Sequence, residues 1–180
     1  MKIAFISLGD RPLTLAATET PQEVGLESSK EAAFDAPVEV SATLTRMQED
    51  ALAEGKASTR ARVPCSRCLE DVVLELRGEF RALYVPQSGV AVRRDARYGL
   101  DEGDQRVNFY AEQTIDLSEE ICNCLLLELP MKPLCKPDCA GLCHKCGENL
   151  NEGPCGCPPD AEEDPWAKLR DLIPPDRGTT

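Results

Sequence analysis

Eight cysteines fall into four close pairs whose spacings are those of metal chelation. Cys65 and Cys68 form Cys-x-x-Cys, Cys135 and Cys139 form Cys-x3-Cys, Cys143 and Cys146 form a second Cys-x-x-Cys, and Cys155 and Cys157 form Cys-x-Cys. Two residues between ligands let a tight turn present both sulfurs to one ion about 2.3 Å away, with backbone amides left to bond the thiolates. Four chelating pairs make two tetrahedra, so the donor set asks for two zinc ions. The shortest closure joins Cys143 and Cys146 to Cys155 and Cys157 across the eight residues GENLNEGP. Cys65 and Cys68 then share an ion with Cys135 and Cys139, across 66 intervening residues. Loop closure depends on length only logarithmically, so the longer span costs about 2 kcal/mol more. Zinc supplies roughly 10–16 kcal/mol in small fingers and offsets that difference. A single ion held by Cys135, Cys139, Cys143 and Cys146, with the other thiols free, stays open as the simpler arrangement. Gly147 and Gly156 suit the turns because they tolerate positive φ.

Other uses of the thiols are weaker. An iron–sulfur centre would take the same donors, but the pairs divide into two tetrahedra without a cluster signature. The alternative from another functional class is a thiol redox or metal-relay protein using Cys65 and Cys68, since Cys-x-x-Cys lowers a thiol pKa. No thioredoxin-like order of strand and helix surrounds that pair. His144, the only histidine, lies between two ligands and reads as a solvated bystander. Cys122 and Cys124 stand about 200° apart on a helix, which rules out joint chelation and makes them buried thiols. Beyond His144 there is no histidine for a triad, and no phosphate-cradling glycine motif is present. Sites built wholly from thiolate leave no open coordination position, so the chain reads as non-enzymatic.

The elements that must carry these pairs follow from the apolar period. Short strands are expected over residues 2–8 and 12–18, then a polar loop or weak helix over 19–36. Val38, Val40, Ala42 and Leu44 alternate with polar residues, EDALAEGK permits a turn, and ASTRARVP climbs to the first cysteine pair as the second arm of a hairpin. DVVLELRGEFRALYV returns as a third strand, with Gly78 as a possible bulge. Residues 86–104 read as a mobile surface loop and QRVNFY as one more strand. IDLSEEICNCLLLELP changes period: Asp116 or Ser118 can cap, and Leu117, Ile121, Cys124, Leu125 and Leu129 form one apolar stripe. That helix closes over the sheet and hands the chain to Cys135. Near the end, DPWAKLRDLI opens as a short helix at Asp164 and Pro165. The expected fold is α+β: an antiparallel meander covered by a helix in residues 1–134, then a cysteine-rich zinc knuckle and short terminal helix in residues 135–180.

Charge narrows the partners. The chain has 20 basic and 32 acidic side chains and a net charge of −12, which repels nucleic acid at long range. Only residues 60–97 are positive, with 8 basic and 5 acidic groups. Arg60, Arg62 and Arg67 are the candidate phosphate contacts; the bland reading is a solvated sheet face on which arginines alternate with acids. The apolar run from Ile3 to Leu8 is too short for a secretory leader, and no stretch approaches the roughly 18 residues that span a bilayer. A cytoplasmic protein is expected, in which reduced, clustered cysteines serve a metal.

At CSRCLEDV, IDLSEEICNCLLLELPMKPLC, CAGLCHKCGENLN, CGC and DPWAKLRDL the chain resembles the YceD family, associated with accumulation of large-subunit ribosomal RNA. The blocks cover residues 60–173; residues 1–59 match only in strand-like character. Cys122 and Cys124 stand where family members carry ordinary helix residues, and Trp166 where the family often has arginine. The resemblance implies a ribosome-assembly factor for the large subunit and its 23S RNA. Its partner would be that RNA, met by the arginines, or a basic ribosomal protein, met by the acidic surface.

Overall fold

Alternation of small and branched apolar residues with polar ones builds the sheet. In the computed structural model, which describes residues 1–87 and 106–158, the strands are β1 (Lys2–Ala4), β2 (Leu13–Glu19), β3 (Val38–Met47), β4 (Asp50–Pro64), β5 (Asp71–Pro86), β6 (Arg106–Tyr110) and β7 (Thr114–Asp116), and helix α1 spans Ser118–Leu127. The main sheet has the order β2-β3-β4-β5-β6, and β1 pairs with β7 beside it. The fold is α+β, with one helix on a mostly antiparallel sheet.

The inner face carries Val38, Val40, Ala42 and Leu44 from β3, Ala51, Ala53, Ala57 and Ala61 from β4, and Leu76, Phe80 and Ala82 from β5, all buried. Opposite them on the same strands, Glu54, Lys56, Arg60, Arg62, Glu75, Arg77, Glu79 and Arg81 face solvent. Helix α1 lies across β5 and β4 and buries Leu117, Ile121, Cys124 and Leu125, the expected stripe, with Leu129 partly buried beyond them. Glu119 and Glu120 occupy its first turn, where the helix dipole favours them. The Asp116 carboxylate accepts the Ser118 N–H at 3.0 Å.

The structure departs from the alternation-based reading in four places. The β3–β4 hairpin turns at Gln48 and Glu49, with Met47 opposite Asp50 and Gln48 at φ 63°, so EDALAEGK is almost wholly strand. Gly55 sits within that strand because a Cβ there would meet Phe80 Cζ at 2.5 Å and the Ser41 carbonyl oxygen at 2.7 Å. Gly78 makes no bulge: it pairs in register with Ala57. Its missing side chain instead admits the helix, since a Cβ there would lie 2.6 Å from the Cys124 carbonyl oxygen. The first strand stops at Ala4 and gives way to a 3-10 turn over Phe5–Ser7, which buries Phe5 against Tyr110, ring centroids 5.0 Å apart. Finally, β6 runs parallel to β5, so the sheet is mixed rather than a pure meander. Most of the expected loop at 86–104 and the whole helix expected near Asp164 lie outside the described residues.

The chain divides into two units, Met1–Cys139 and Ala140–Thr180. Among the described residues no helix is long and apolar enough to cross a membrane.

Candidate metal centres

The first unit builds its centre at the end of its longest hairpin. Pro64 opposite Asp71 is the last pair of β4 and β5, leaving CSRCLE to turn the corner. The Cys65 N–H donates to the Glu70 carbonyl at 2.8 Å and the Leu69 N–H to the Cys65 carbonyl at 3.0 Å. Closing that turn puts Leu69 at φ 61°, a conformation that costs a residue with a Cβ roughly 1–2 kcal/mol. Past α1 the chain docks on this knuckle: the Ser66 N–H donates to the Pro133 carbonyl at 2.8 Å, and Arg67 Nη1 to the Cys139 carbonyl at 2.7 Å. Four sulfurs converge, those of Cys65, Cys68, Cys135 and Cys139, all within 4.8 Å of one another. Cys65 Sγ lies 3.8 Å from Cys139 Sγ and Cys68 Sγ 3.6 Å from Cys135 Sγ. A tetrahedron with zinc–sulfur bonds of about 2.3 Å has edges of about 3.8 Å. Amides of Arg67 and Cys135 reach Cys65 Sγ at 3.5 and 3.4 Å.

The second unit repeats the turn in CHKCGE. The Cys143 N–H donates to the Glu148 carbonyl and the Gly147 N–H to the Cys143 carbonyl, both at 2.8 Å. Gly147, in the position Leu69 holds above, has φ 78° and meets the requirement without strain. Gly156 is not among the residues of positive φ, whereas Gly153 is, at 147°. The loop is fastened by its asparagines: Asn151 Oδ1 accepts the Ala140 N–H at 2.9 Å, and Asn149 Oδ1 accepts the Asn151 N–H at 3.1 Å. Cys143, Cys146, Cys155 and Cys157 form the second quartet within 4.8 Å, with 3.4 Å between the sulfurs of Cys143 and Cys155.

Within each quartet one thiol is lowered and another raised. The Cys65 thiol is lowered to about 6 by the backbone N–H of Cys68, against the desolvation of its site. Cys143 is lowered to about 6 by the N–H groups of Cys146 and Lys145. Desolvation pushes Cys135 up to about 12, for its sulfur faces the quartet although the residue as a whole is exposed. Hydrogen bonding to the Cys146 thiol, followed by desolvation, pushes Cys157 up to about 12. Opposed shifts of this kind are what closely facing thiols produce, and a divalent ion bound there would displace the protons that remain.

The remaining candidates sit elsewhere. Cys124 is buried, its Sγ donating to the Ile121 carbonyl at 3.2 Å, and burial raises its thiol to about 11. Half-buried Cys122 points its Sγ at the Gly25 carbonyl, 3.6 Å away. His144 is exposed and belongs to neither quartet. Of the arginines, Arg60 stands on the outer sheet face across from Glu75, Arg62 forms an ion pair with Asp35, and Arg67 bonds Cys139 as described. On the same face Arg77 pairs with Glu75 at 2.8 Å and Arg81 with Glu54 at 3.0 Å. Cations and acids alternate across that face. Arg93, Arg94 and Arg97 lie outside the described residues. Two features of the site were missed from the sequence: the positive φ of Leu69 and the reach of Arg67. The first had a signal in the alignment of CSRCLE with CHKCGE.

Comparison with known proteins bears on the same region. A family profile described as "Large ribosomal RNA subunit accumulation protein YceD" matches residues 53–173. An uncharacterised protein of Mycobacterium leprae is 31% identical over 79% of this chain and 62% of its own length. An uncharacterised protein of Mycobacterium bovis is 29% identical over 99% of this chain and 84% of its own. A maize protein named "Large ribosomal RNA subunit accumulation protein YCED homolog 1, chloroplastic" is 29% identical over 68% of this chain and 49% of its own. The chain thus spans less than two thirds of the Mycobacterium leprae and maize relatives. No solved structure matches significantly.

Proposed function

The chain belongs to the YceD family, and on that premise we propose that it is a non-enzymatic, zinc-stabilised factor of the cytoplasm that supports accumulation of large-subunit (23S) ribosomal RNA. The observation that carries this reading is the extent of the match. Residues 53–173 take in most of the β4–β5 hairpin, helix α1 and all eight paired cysteines, so the part shared with the family is the part that bears both quartets. Quartets of thiolate fill every position of a tetrahedral ion, the composition of closed structural sites. The ions then hold a surface in shape and perform no chemistry themselves.

The redox or metal-relay alternative has less support, because Cys65 and Cys68 lie within 4.8 Å of two further thiols and both are buried. For the partner, direct contact with the RNA through Arg60, Arg62 and Arg67 is the working reading, with a basic ribosomal protein as its rival. Arg60 is the arginine of the three most available to phosphate, since Arg62 already pairs with Asp35 and Arg67 with Cys139. The test is complementation. Cells deleted for the gene should show a low ratio of 23S to 16S RNA, restored by the wild-type chain but not by a Cys65→Ser, Cys68→Ser double variant. An unaltered ratio in the deletion strain sinks the functional reading, and full rescue by the double variant removes the first centre from it.

A further inference from the structure

The two knuckles share more than their sulfurs. In CSRC and in CHKC the third residue is a cation, and in each its side chain reaches to the backbone at the far end of the partner cysteine pair. Arg67 Nη1 donates to the carbonyl of Cys139, the last ligand of its quartet, at 2.7 Å. Lys145 Nζ donates at 2.6 Å to the carbonyl of Pro158, the residue after Cys157, which is the last ligand of the other. The main chains of the same two residues bond the opposite pair. The Arg67 N–H reaches Cys65 Sγ at 3.5 Å, and the Lys145 N–H bonds the Cys143 sulfur. Arg67 therefore touches both halves of its quartet, and Lys145 touches the first pair of its own and the residue that directly follows the second, although one partner segment returns after 66 residues and the other after eight.

We infer that Arg67 and Lys145 are positioning residues of the two metal centres: each clamps the second cysteine pair onto the knuckle bearing the first, and sets a fixed positive charge beside a four-thiolate ion. The inference rests on the zinc reading above. A zinc ion with four thiolates carries a net charge of −2, and a cation beside it lowers the energy of the loaded site while leaving every sulfur free to bind metal. Outer partners of this kind typically change metal affinity by about 10–100-fold. Arginine suits the more buried first centre because its planar, always charged group bonds a carbonyl in a fixed orientation. The exposed lysine bond is screened by solvent and holds less. Arg67 thereby acquires a duty that competes with phosphate contact, so an Arg67 variant tests the centre before it tests RNA binding.

Zinc release from the loaded full-length chain into excess chromogenic chelator separates these roles. Arg67→Ala should accelerate release of one zinc equivalent by about 10–100-fold and leave the other unchanged. Lys145→Ala should accelerate only the other, by about 2–10-fold. Arg67→Lys, which keeps a charge and a donor, should recover most of the wild-type rate, whereas general loosening of the fold would move both equivalents together and would not be rescued. If Arg67→Ala does not fold, Arg67→Met keeps the length without the donor and carries the same expectation. Release within twofold of wild type in both alanine variants, or equal acceleration of both equivalents by Arg67→Ala, overturns the clamp while the zinc reading stands. A wild-type chain that holds no zinc and gives no thiolate-to-cobalt charge-transfer band with cobalt(II) overturns both.

Discussion

CSRCLE and CHKCGE close the same turn with the same two backbone hydrogen bonds, yet they are embedded differently. The first stands at the tip of a hairpin with strands of 15 and 16 residues and shares its quartet with a segment delivered by helix α1. Three of its four cysteines are buried. In the second, Cys146 is exposed and Cys155 and Cys157 are only partly covered, and its partner pair follows within the same short loop. Turn geometry is a local property, written in six residues. What a metal does for stability is decided by the chain between its ligands: an ion in the first quartet would tie the sheet to the segment that follows the helix, while one in the second would tie a loop to itself.

The sharpest way to break this contrast is to remove one ligand from each. Cys65→Ser should destabilise the unit Met1–Cys139 by more than about 4 kcal/mol, the range associated with losing a structural metal, and strip hydrogen-exchange protection from residues 120–139. Cys143→Ser should expose only residues 140–158. Unchanged protection of residues 120–139 in Cys65→Ser would show that the first ion is as local as the second.

A smaller effect comes from the path between the sheet and the first centre. Gly78→Ala forces α1 off β5, because the new Cβ would lie 2.6 Å from a helix carbonyl, and overpacking of this kind costs about 1–3 kcal/mol. Thermal unfolding should register it. Zinc release should quicken at the first centre alone, since α1 leads directly to Cys135.

The smallest effect exchanges the residue that differs between the turns. Leu69→Gly removes a Cβ from a left-handed residue and should raise the stability of the first centre by about 0.5–1 kcal/mol after the glycine's extra freedom in the unfolded chain is subtracted. Gly147→Leu should weaken zinc binding at the second centre by about 1–2 kcal/mol, roughly 5- to 30-fold. Competition with a calibrated chelator reads both. If both substitutions weaken binding, the turns are not equivalent.

Much of this was legible because cysteine spacing and strand alternation are short-range signals. Val38, Val40, Ala42 and Leu44 announce their face at period two, and Leu117, Ile121, Cys124 and Leu125 theirs at the helical period, so the α+β class and the covering helix could be read directly. The direction of β6 could not, for alternation in QRVNFY is the same whichever way a strand runs. The turn expected in EDALAEGK, which contains Gly55, and the bulge expected at Gly78 failed for one physical reason: a glycine in a strand can mark a turn, a bulge or a close approach, and only the three-dimensional neighbour distinguishes them. Here the neighbours are the Phe80 ring and the Cys124 carbonyl. The grouping of the sulfurs into two quartets follows chain spacing closely, whereas the reach of Arg67 to Cys139, 72 positions away, has no signature in either local sequence.

On the proposed reading the chain holds two closed zinc centres, one local and one spanning the sheet domain. Elemental analysis of the protein purified without added metal, paired with native mass spectrometry of the same sample, tests it most directly. Two zinc ions per chain are expected, with eight thiols protected from alkylation until the metal is removed and Cys122 and Cys124 unaffected by that removal. One zinc per chain with Cys65 and Cys68 freely alkylated, or iron with visible absorption, would contradict it.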